Sequence, residues 1–421
     1  MKCLKTASWC RDGIGSTDGS TKGKNIMPGE HKQERDERIG GYIKDLQRIR
    51  RDIHKHPETA YEEIRTADIV AKELGELGLD VDQGLGGTGV VGTLRRGGSN
   101  RAIGLRADMD ALFIQELNNF GHKSVNKGKM HACGHDGHTS MLLGAARYMA
   151  ETKEFNGTIH FIFQPAEEGG AGAKAMIDGG LFEKFSCDAI YGLHNMPGIE
   201  AGHIALRAGP IMAASDEFKI AFKGTGGHGS MPHKGTDATI AAAHFITAVQ
   251  TLVSRETNPL EAGVISVGHI AAGDPGSLNI IPAEVRIGGR TRSFNPEVRD
   301  RLEKRVCEIA HATAALFKCE ANIAYRRGYP PTVNWPEQAE ISLSAAKKAV
   351  GEEQVIPNMQ PLPGSEDFSF MLEKVPGCYV FIGNGITEPD EFVHAPRYDF
   401  NDEIIAKGVA YWTEIIRAEL P

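Results

Sequence analysis

The stretch Glu284–Phe317 reads EVRIGGRTRSFNPEVRDRLEKRVCEIAHATAALF. Its first ten residues suit a strand. Pro296 then stands near the first turn of a helix, where a missing N–H costs nothing. Val298, Leu302, Val306, Ile309 and Leu316 follow on one helical stripe. Working outward, Gly263–His269 upstream is another strand, and Asp237–Ser254 is a helix with Ile240, Phe245, Val249 and Leu252 near one face. Glu217–Phe222 and Cys319–Arg326 supply the outer strands. The order β-α-β-β-α-β is the ferredoxin-like, split βαβ arrangement, a unit that can fold by itself. Residues 212–326 are therefore expected as a domain inserted into a larger one, made of residues 31–211 and 327–421.

The flanking sequence has a different pattern. Strands are expected at Gly89–Leu94, Ala102–Leu105, Thr158–Gln164 and Ala189–Leu193. Helices are expected at Thr66–Gly78, His138–Met149 and Gly172–Gly180. Such alternation predicts an α/β fold, a mixed sheet with helices on both faces. Residues 1–30, rich in Gly, Ser, Thr and Lys, read as a disordered or non-native tail, with Met27 as a candidate start.

The chain has 421 residues, long enough for two cores. Its net charge of -8 argues against a nucleic-acid binder, which would carry a basic face. No apolar run spans a bilayer and no apolar signal core stands near the start, so neither membrane insertion nor secretion is expected. Seven cysteines in so long a chain are no disulfide scaffold, and a cytoplasmic setting is expected. The run Gly84–Gly89, GLGGTG, precedes a strand, whereas a dinucleotide fingerprint follows one.

Four clusters carry chemistry. His131–His138, HACGHDGH, packs three histidines and a cysteine into eight residues, with Gly134 allowing a tight turn. A lone histidine here would read as a helix cap; this density points to metal. Gln164–Gly170, QPAEEGG, puts Glu167 and Glu168 at the C-terminal edge of an apolar strand, where open α/β sheets place ligands. One acid can bind a metal while the other takes a proton, though alone they equally suit exposed loop acids. His194 ends a third apolar strand, and His394 lies in VHAP near the C-terminus. Nitrogen, sulfur and oxygen donors of this kind suit Zn, Mn, Co or Ni. Asp108 and Asp110, two apart on an extended chain, are either orienters of ligand histidines or a turn-forming pair. In the insert, His228 stands between glycines and could donate to an oxyanion, with Asn279 and Arg292 as further polar candidates.

LRADMDAL (105–112), GKMHACGHDGHTSMLLGAA (128–146), FQPAEEGG (163–170), GLHN (192–195), GGHGSMPH (226–233), NIIP (279–282), GSEDFSFM (364–371) and VHAP (393–396) occur in this order. Together they resemble peptidase family M20, and within it the amidohydrolase subfamily of hippurate hydrolases, N-acyl-amino-acid amidohydrolases and auxin-conjugate hydrolases. The resemblance implies a mixed-sheet metallopeptidase catalytic domain whose inserted domain is a lid or dimerisation domain. It implies one or two divalent ions held by Cys133, His135, Glu168, His194 and His394, with Glu167 as general base. It assigns His228, Asn279 and Arg292 to the substrate carboxylate or the oxyanion, with His228 acting across the interface of a homodimer or larger homo-oligomer. The implied reaction is cleavage of a small N-acyl or N-aroyl amino acid by metal-activated water. Hydrolytic removal of an amino group from an aromatic ring is an alternative on the same scaffold. A metal-binding protein without turnover is the other. The chain departs from the family pattern at Phe113, where a proline is usual, and at Gly289–Arg292, GRTR where GTVR is usual. Phe113 is expected to reshape the wall near the metal, and Arg290 to add charge beside Arg292.

Overall fold

The structure is a computed structural model that describes residues 28–421. The expected tail lies outside these residues except for 28–30, which instead open the first helix, α1 (Pro28–Lys55). There follow α2 (Ile64–Glu76), β1 (Asp80–Leu85), β2 (Gly89–Arg96), β3 (Ala102–Asp108), α3 (His135–Thr152), β4 (Gly157–Gln164), α4 (Gly172–Asp178), β5 (Ala189–Pro197) and β6 (Ile204–Ala205). Next come β7 (Ala214–Lys223), α5 (Ala238–Val249), β8 (Gly263–Ala272), β9 (Glu284–Ser293), α6 (Pro296–Leu316) and β10 (Glu320–Arg327). The chain closes with α7 (Pro336–Val350), β11 (Val355–Ile356), β12 (Gly377–Gly385) and α8 (Ile405–Glu419).

Eight strands form one mixed sheet in the order β1-β2-β4-β3-β5-β12-β6-β11. The strands β4, β3, β5 and β12 are mutually parallel, so their C-terminal ends share one edge. Their sequences alternate between two apolar layers. Ile103, Leu105, Ile159, Phe161, Tyr191 and Val380 face a core closed by α1, α2, α3, α7 and α8. Ile162, Ile190, Tyr379 and Phe381 face a second core on the opposite side. Burial on both faces explains why these strands read as continuous apolar runs.

The segment 214–327 has a separate core of Phe218, Phe222, Phe245, Val285, Leu302 and their neighbours. Its four strands pair antiparallel in the order β8-β9-β7-β10, with α5 and α6 packed against them. Both helices have side-chain caps: Asp237 accepts from Thr239 N–H, and Asn295 from Glu297 N–H ahead of Pro296. The first helix is shorter than its sequence pattern. It gives way to a π-turn at Leu252–Glu256, where the Thr251 and Ser254 hydroxyls bond to carbonyls one turn back.

Helix α3 begins at His135, three residues before the apolar pattern does. Gly134 caps it at φ 95°, and a Cβ there would stand 2.0 Å from Asn195 Oδ1. Only glycine meets both demands. Asp136 in the first turn receives Arg50 and His54 from α1. Hydrogen bonds to Asp136 and Glu116 hold His54 up at about 9 against the pull of burial. No helix among the described residues is long and apolar enough to cross a membrane, and the five described cysteines are all free thiols.

Candidate metal and active site

The shared strand edge gathers the candidate residues. Asp108 ends β3, Glu167 and Glu168 follow β4 by a short turn, and His194 lies near the end of β5. Cys133 and His135 arrive from the loop and first residue of α3. His394 enters from the loop after β12 with φ 65°, a left-handed backbone rare for a residue other than glycine.

Donor atoms of Cys133, Glu168 and His394 lie within 4.8 Å of one another, as do those of His135, Glu167 and Glu168. Cys133 Sγ is 3.3 Å from His194 Nε2. Each ring is oriented from behind. Asp110 Oδ1 is 3.1 Å from His135 Nδ1, which presents Nε2 to the cluster. His194 Nδ1 faces the Asn195 carbonyl, which presents its Nε2 likewise. The two aspartates hydrogen-bond different rings: Asp108 grips His138 Nδ1 at 2.6 Å, and its other oxygen is 3.8 Å from His135 Nε2. Asp110 also accepts from the Glu168 backbone N–H, which fixes the turn carrying both glutamates.

These residues fit a divalent cation. His135 Nε2 is buried with no hydrogen-bond partner. Glu168 Oε1 is also unpartnered: His394 Nε2 lies 2.9 Å away but without hydrogen-bond geometry. Buried polar atoms in native folds are paired, so two facing orphans mark a place for an ion. The charges agree. Burial, with Glu168 and Glu167 beside it, holds the Cys133 thiol well above its usual range. Against burial, Asp108 and Asp110 hold His135 up at about 10. Burial and His138 press His194 well below the usual range, which leaves a neutral imidazole of the kind metals bind. A bound cation would supply the positive charge this cluster lacks.

Glu167 stands between the ring cluster and a second group of acids. Its Oε1 accepts, at 3.4 Å, from the Asp367 N–H, and its carboxyl groups with those of Glu366 and Asp367. Burial first, then Glu366 and Glu168, raise its pKa well above the carboxylate range. Adjacent glutamates thus differ in setting, as their alternation in sequence demands. Behind them Arg106 is wholly buried, with hydrogen bonds to Asp108 (2.7 Å), Gln164 (2.8 Å), Glu366 (2.9 Å) and Asp367 (3.1 Å). Sequence reading gave no role to Arg106, His138, Asn195, Glu366 or Asp367, although LRADMDAL, GLHN and GSEDFSFM contain all but His138.

A cleft of about 930 Å³ opens over this cluster, between the large sheet and the β7-β9-β10 face of the insert. Cys133, Glu167, Glu168, His194 and His394 line its floor, and Met196, Phe370 and Phe381 give it an apolar wall. Arg292 reaches it from β9. His228 and Asn279 do not line it. They sit together on a two-stranded ribbon, Gly227–His228 with Ile280–Ile281, and His228 is exposed with Nδ1 3.0 Å from Ser230 Oγ. Phe113 does not reshape the cleft. It is 76 % exposed and lies under Lys129, because Ile114 and Leu112 take the inward positions of its loop.

The family model for peptidase family M20/M25/M40 matches residues 104–418. The chain belongs to this family. Hippurate hydrolase of Campylobacter jejuni is 42% identical over 371 residues, 88% of this chain and 95% of that one. IAA-amino acid hydrolase ILR1-like 4 of Arabidopsis thaliana is 40% identical, over 86% of this chain and 82% of its own. Among solved structures, the YXEP protein of Bacillus subtilis, a dinuclear metal binding peptidase from the M20 family, superposes with a TM-score of 0.78 at 31% identity, over 90% of this chain and 99% of that one. This M20 member is a metal-dependent amidohydrolase, and the donor cluster under its cleft suits a divalent metal.

Proposed function

We propose that this M20 member hydrolyses the amide bond of small N-acyl or N-aroyl amino acids, with Glu167 as general base. The observation that carries the reading is Glu167 itself, a buried acid that borders both the donor cluster and the open cleft. The names of the hippurate and IAA-amino acid hydrolases support the substrate class.

Cys133, His135, Glu168, His194 and His394 would hold one or two divalent ions, with Asp110 fixing His135. When bound, such an ion acts as a Lewis acid toward the substrate carbonyl and acidifies water. Glu167 takes a proton from the attacking water and returns it to the leaving nitrogen. Burial and the neighbouring acids Glu366 and Glu168 raise its pKa above the ordinary carboxylate range, which strengthens it as a base for that proton. Arg292 forks onto the substrate carboxylate. Met196, Phe370 and Phe381 take the acyl group. The insert closes over the cleft and excludes water. His228 donates to the oxyanion, and Asn279 supports it, from a second copy of the chain, since both lie outside the cleft of their own.

The reading is tested by product analysis with metal-loaded protein and a panel of N-acyl and N-aroyl amino acids, plus amino-substituted benzoates. The expected products are free amino acid and carboxylic acid in equal amounts. Ammonia from an aminobenzoate would replace this reading with an aromatic deaminase, and tight metal with no turnover would favour a binding protein. The shared site is tested separately. Glu167→Gln and His228→Ala are each expected to be nearly inactive. Mixed and allowed to exchange subunits, they should regain about a quarter of native activity, because half of random dimers hold one intact site. No regain with exchange demonstrated would refute the trans role of His228.

A further inference from the structure

The cleft-facing side of the insert carries more positive charge than a single carboxylate needs. Arg290 and Arg292 are two apart on β9 and so share a face. Glu217 on β7 lies between Arg290 and Arg326, directly opposite each in register. All four line the cleft.

Glu217 takes up only part of the arginines' charge, through ion pairs longer than the one it makes with Lys219. Its carboxylate already binds Lys219 at 2.9 Å, while Arg290 and Arg326 stand 3.8 and 4.0 Å away, beyond hydrogen-bond reach. The one side-chain hydrogen-bond partner of Arg290 among the described residues is the Ser215 hydroxyl, at 3.3 Å. Arg292 has a buried Nη1 with no hydrogen-bond partner, and burial and Arg290 both press against its charge. The contrast is Arg327, which also lines the cleft but is spent on Asp300 at 2.7 Å and Glu303. Three guanidiniums thus face the cleft without a hydrogen-bonded carboxylate among the described residues. Guanidinium forks match carboxylates in pairs, and one α-carboxylate accounts for Arg292 only.

We propose that Arg290 and Arg326 form a second anion subsite beside Arg292, and that the preferred substrate is an N-acylated dicarboxylic amino acid, an N-acyl glutamate or aspartate. The inference rests on the amidohydrolase reading above for its chemistry, but the subsite itself rests on charge and register alone. Two residues along a strand separate the forks by roughly 7 Å, within reach of the two carboxyls of one amino acid through flexible arginine stems. The departure from GTVR to GRTR is what brings the extra guanidinium to this wall.

The test compares N-benzoyl-L-glutamate with N-benzoyl-L-glutamine, which has the same shape without the charge. Two readouts are used: kcat/KM with the metal-loaded enzyme, and calorimetric Kd with metal-loaded protein carrying Glu167→Gln. The glutamate compound should be favoured about tenfold in both. The preference should fade in roughly 0.5 M salt. It should fall to parity in the double variant Arg290→Gln, Arg326→Gln, and survive in Arg290→Lys, which keeps charge and checks that the fold tolerates change here. Equal handling of the two compounds by the native arginines, or a preference that survives the double variant, overturns the subsite. Should calorimetry show the arginine-dependent preference while no amide is cleaved, the subsite stands and the hydrolytic reading falls.

Discussion

Glu167→Gln should lower kcat about a hundredfold to ten-thousandfold, the usual worth of a placed general base. The amide keeps the shape of the carboxyl and can still accept from the Asp367 N–H, so the cleft should be unchanged. What it loses is the proton site. Metal content measured by elemental analysis should therefore stay at the native level, and KM should move little. This pairing of readouts separates two roles that the geometry brings close, since Glu167 and Glu168 both have an oxygen within 4.8 Å of a His135 nitrogen. A variant that loses metal together with activity would make Glu167 a ligand, and the base would have to be found elsewhere.

Arg106→Met should have the largest effect on stability, about 3–5 kcal/mol. The guanidinium is the hub of Asp108, Gln164, Glu366 and Asp367, and neither it nor Asp367 touches solvent. Removing it leaves buried carboxylates without their cation. Burial already drives Asp367 well above the carboxylate range despite Arg106, and its loss would raise the acids further. A carboxyl whose folded pKa lies above its unfolded one binds protons on folding, so the penalty should shrink as pH falls and grow as it rises. Urea denaturation at two pH values measures this. Arg106→Lys should recover only part, because one ammonium cannot fork onto three acids. A midpoint unchanged in the methionine variant would mean that the acids are neutral without it, and the hub would have no structural role.

Much of this was legible in sequence because two physical signals are local. Period-two and period-3.6 apolar patterns gave β7 through β10 with their two helices, and donor density gave Cys133 and His135. Chain position marked the Glu167–Glu168 pair and His194 as candidates, and only the family resemblance separated Glu168 as ligand from Glu167 as base. The rest depends on distance along the chain. Arg106 meets Glu366 across some 260 residues, and no local pattern announces such a pair. His138 sits in the densest motif, yet it binds Asp108 and Asn195 and supports the site from behind. Asn195 stands beside a candidate ligand and was invisible for the opposite reason, an amide next to an imidazole being ordinary. The start of α3 carries no apolar signal because its first turn is built of polar residues, with Asp136 held by Arg50 and His54. Phe113 was expected in the cleft wall on analogy with a proline position, and the local backbone turned it to solvent.

The insert has a consequence for synthesis. Strand β5 is buried along its length only when β12 lies beside it, and β12 follows β5 in the sheet but not in the chain. Gly377 leaves the ribosome about 180 residues after Pro197, which at ~5–20 residues per second is ~10–40 s. During that interval the nascent large sheet exposes an apolar, unpaired edge while the β7–β10 unit, complete in itself, folds beyond it. The catalytic half therefore cannot complete its sheet until synthesis is nearly over, and its donor cluster, which needs the loop after β12 to deliver His394, closes last.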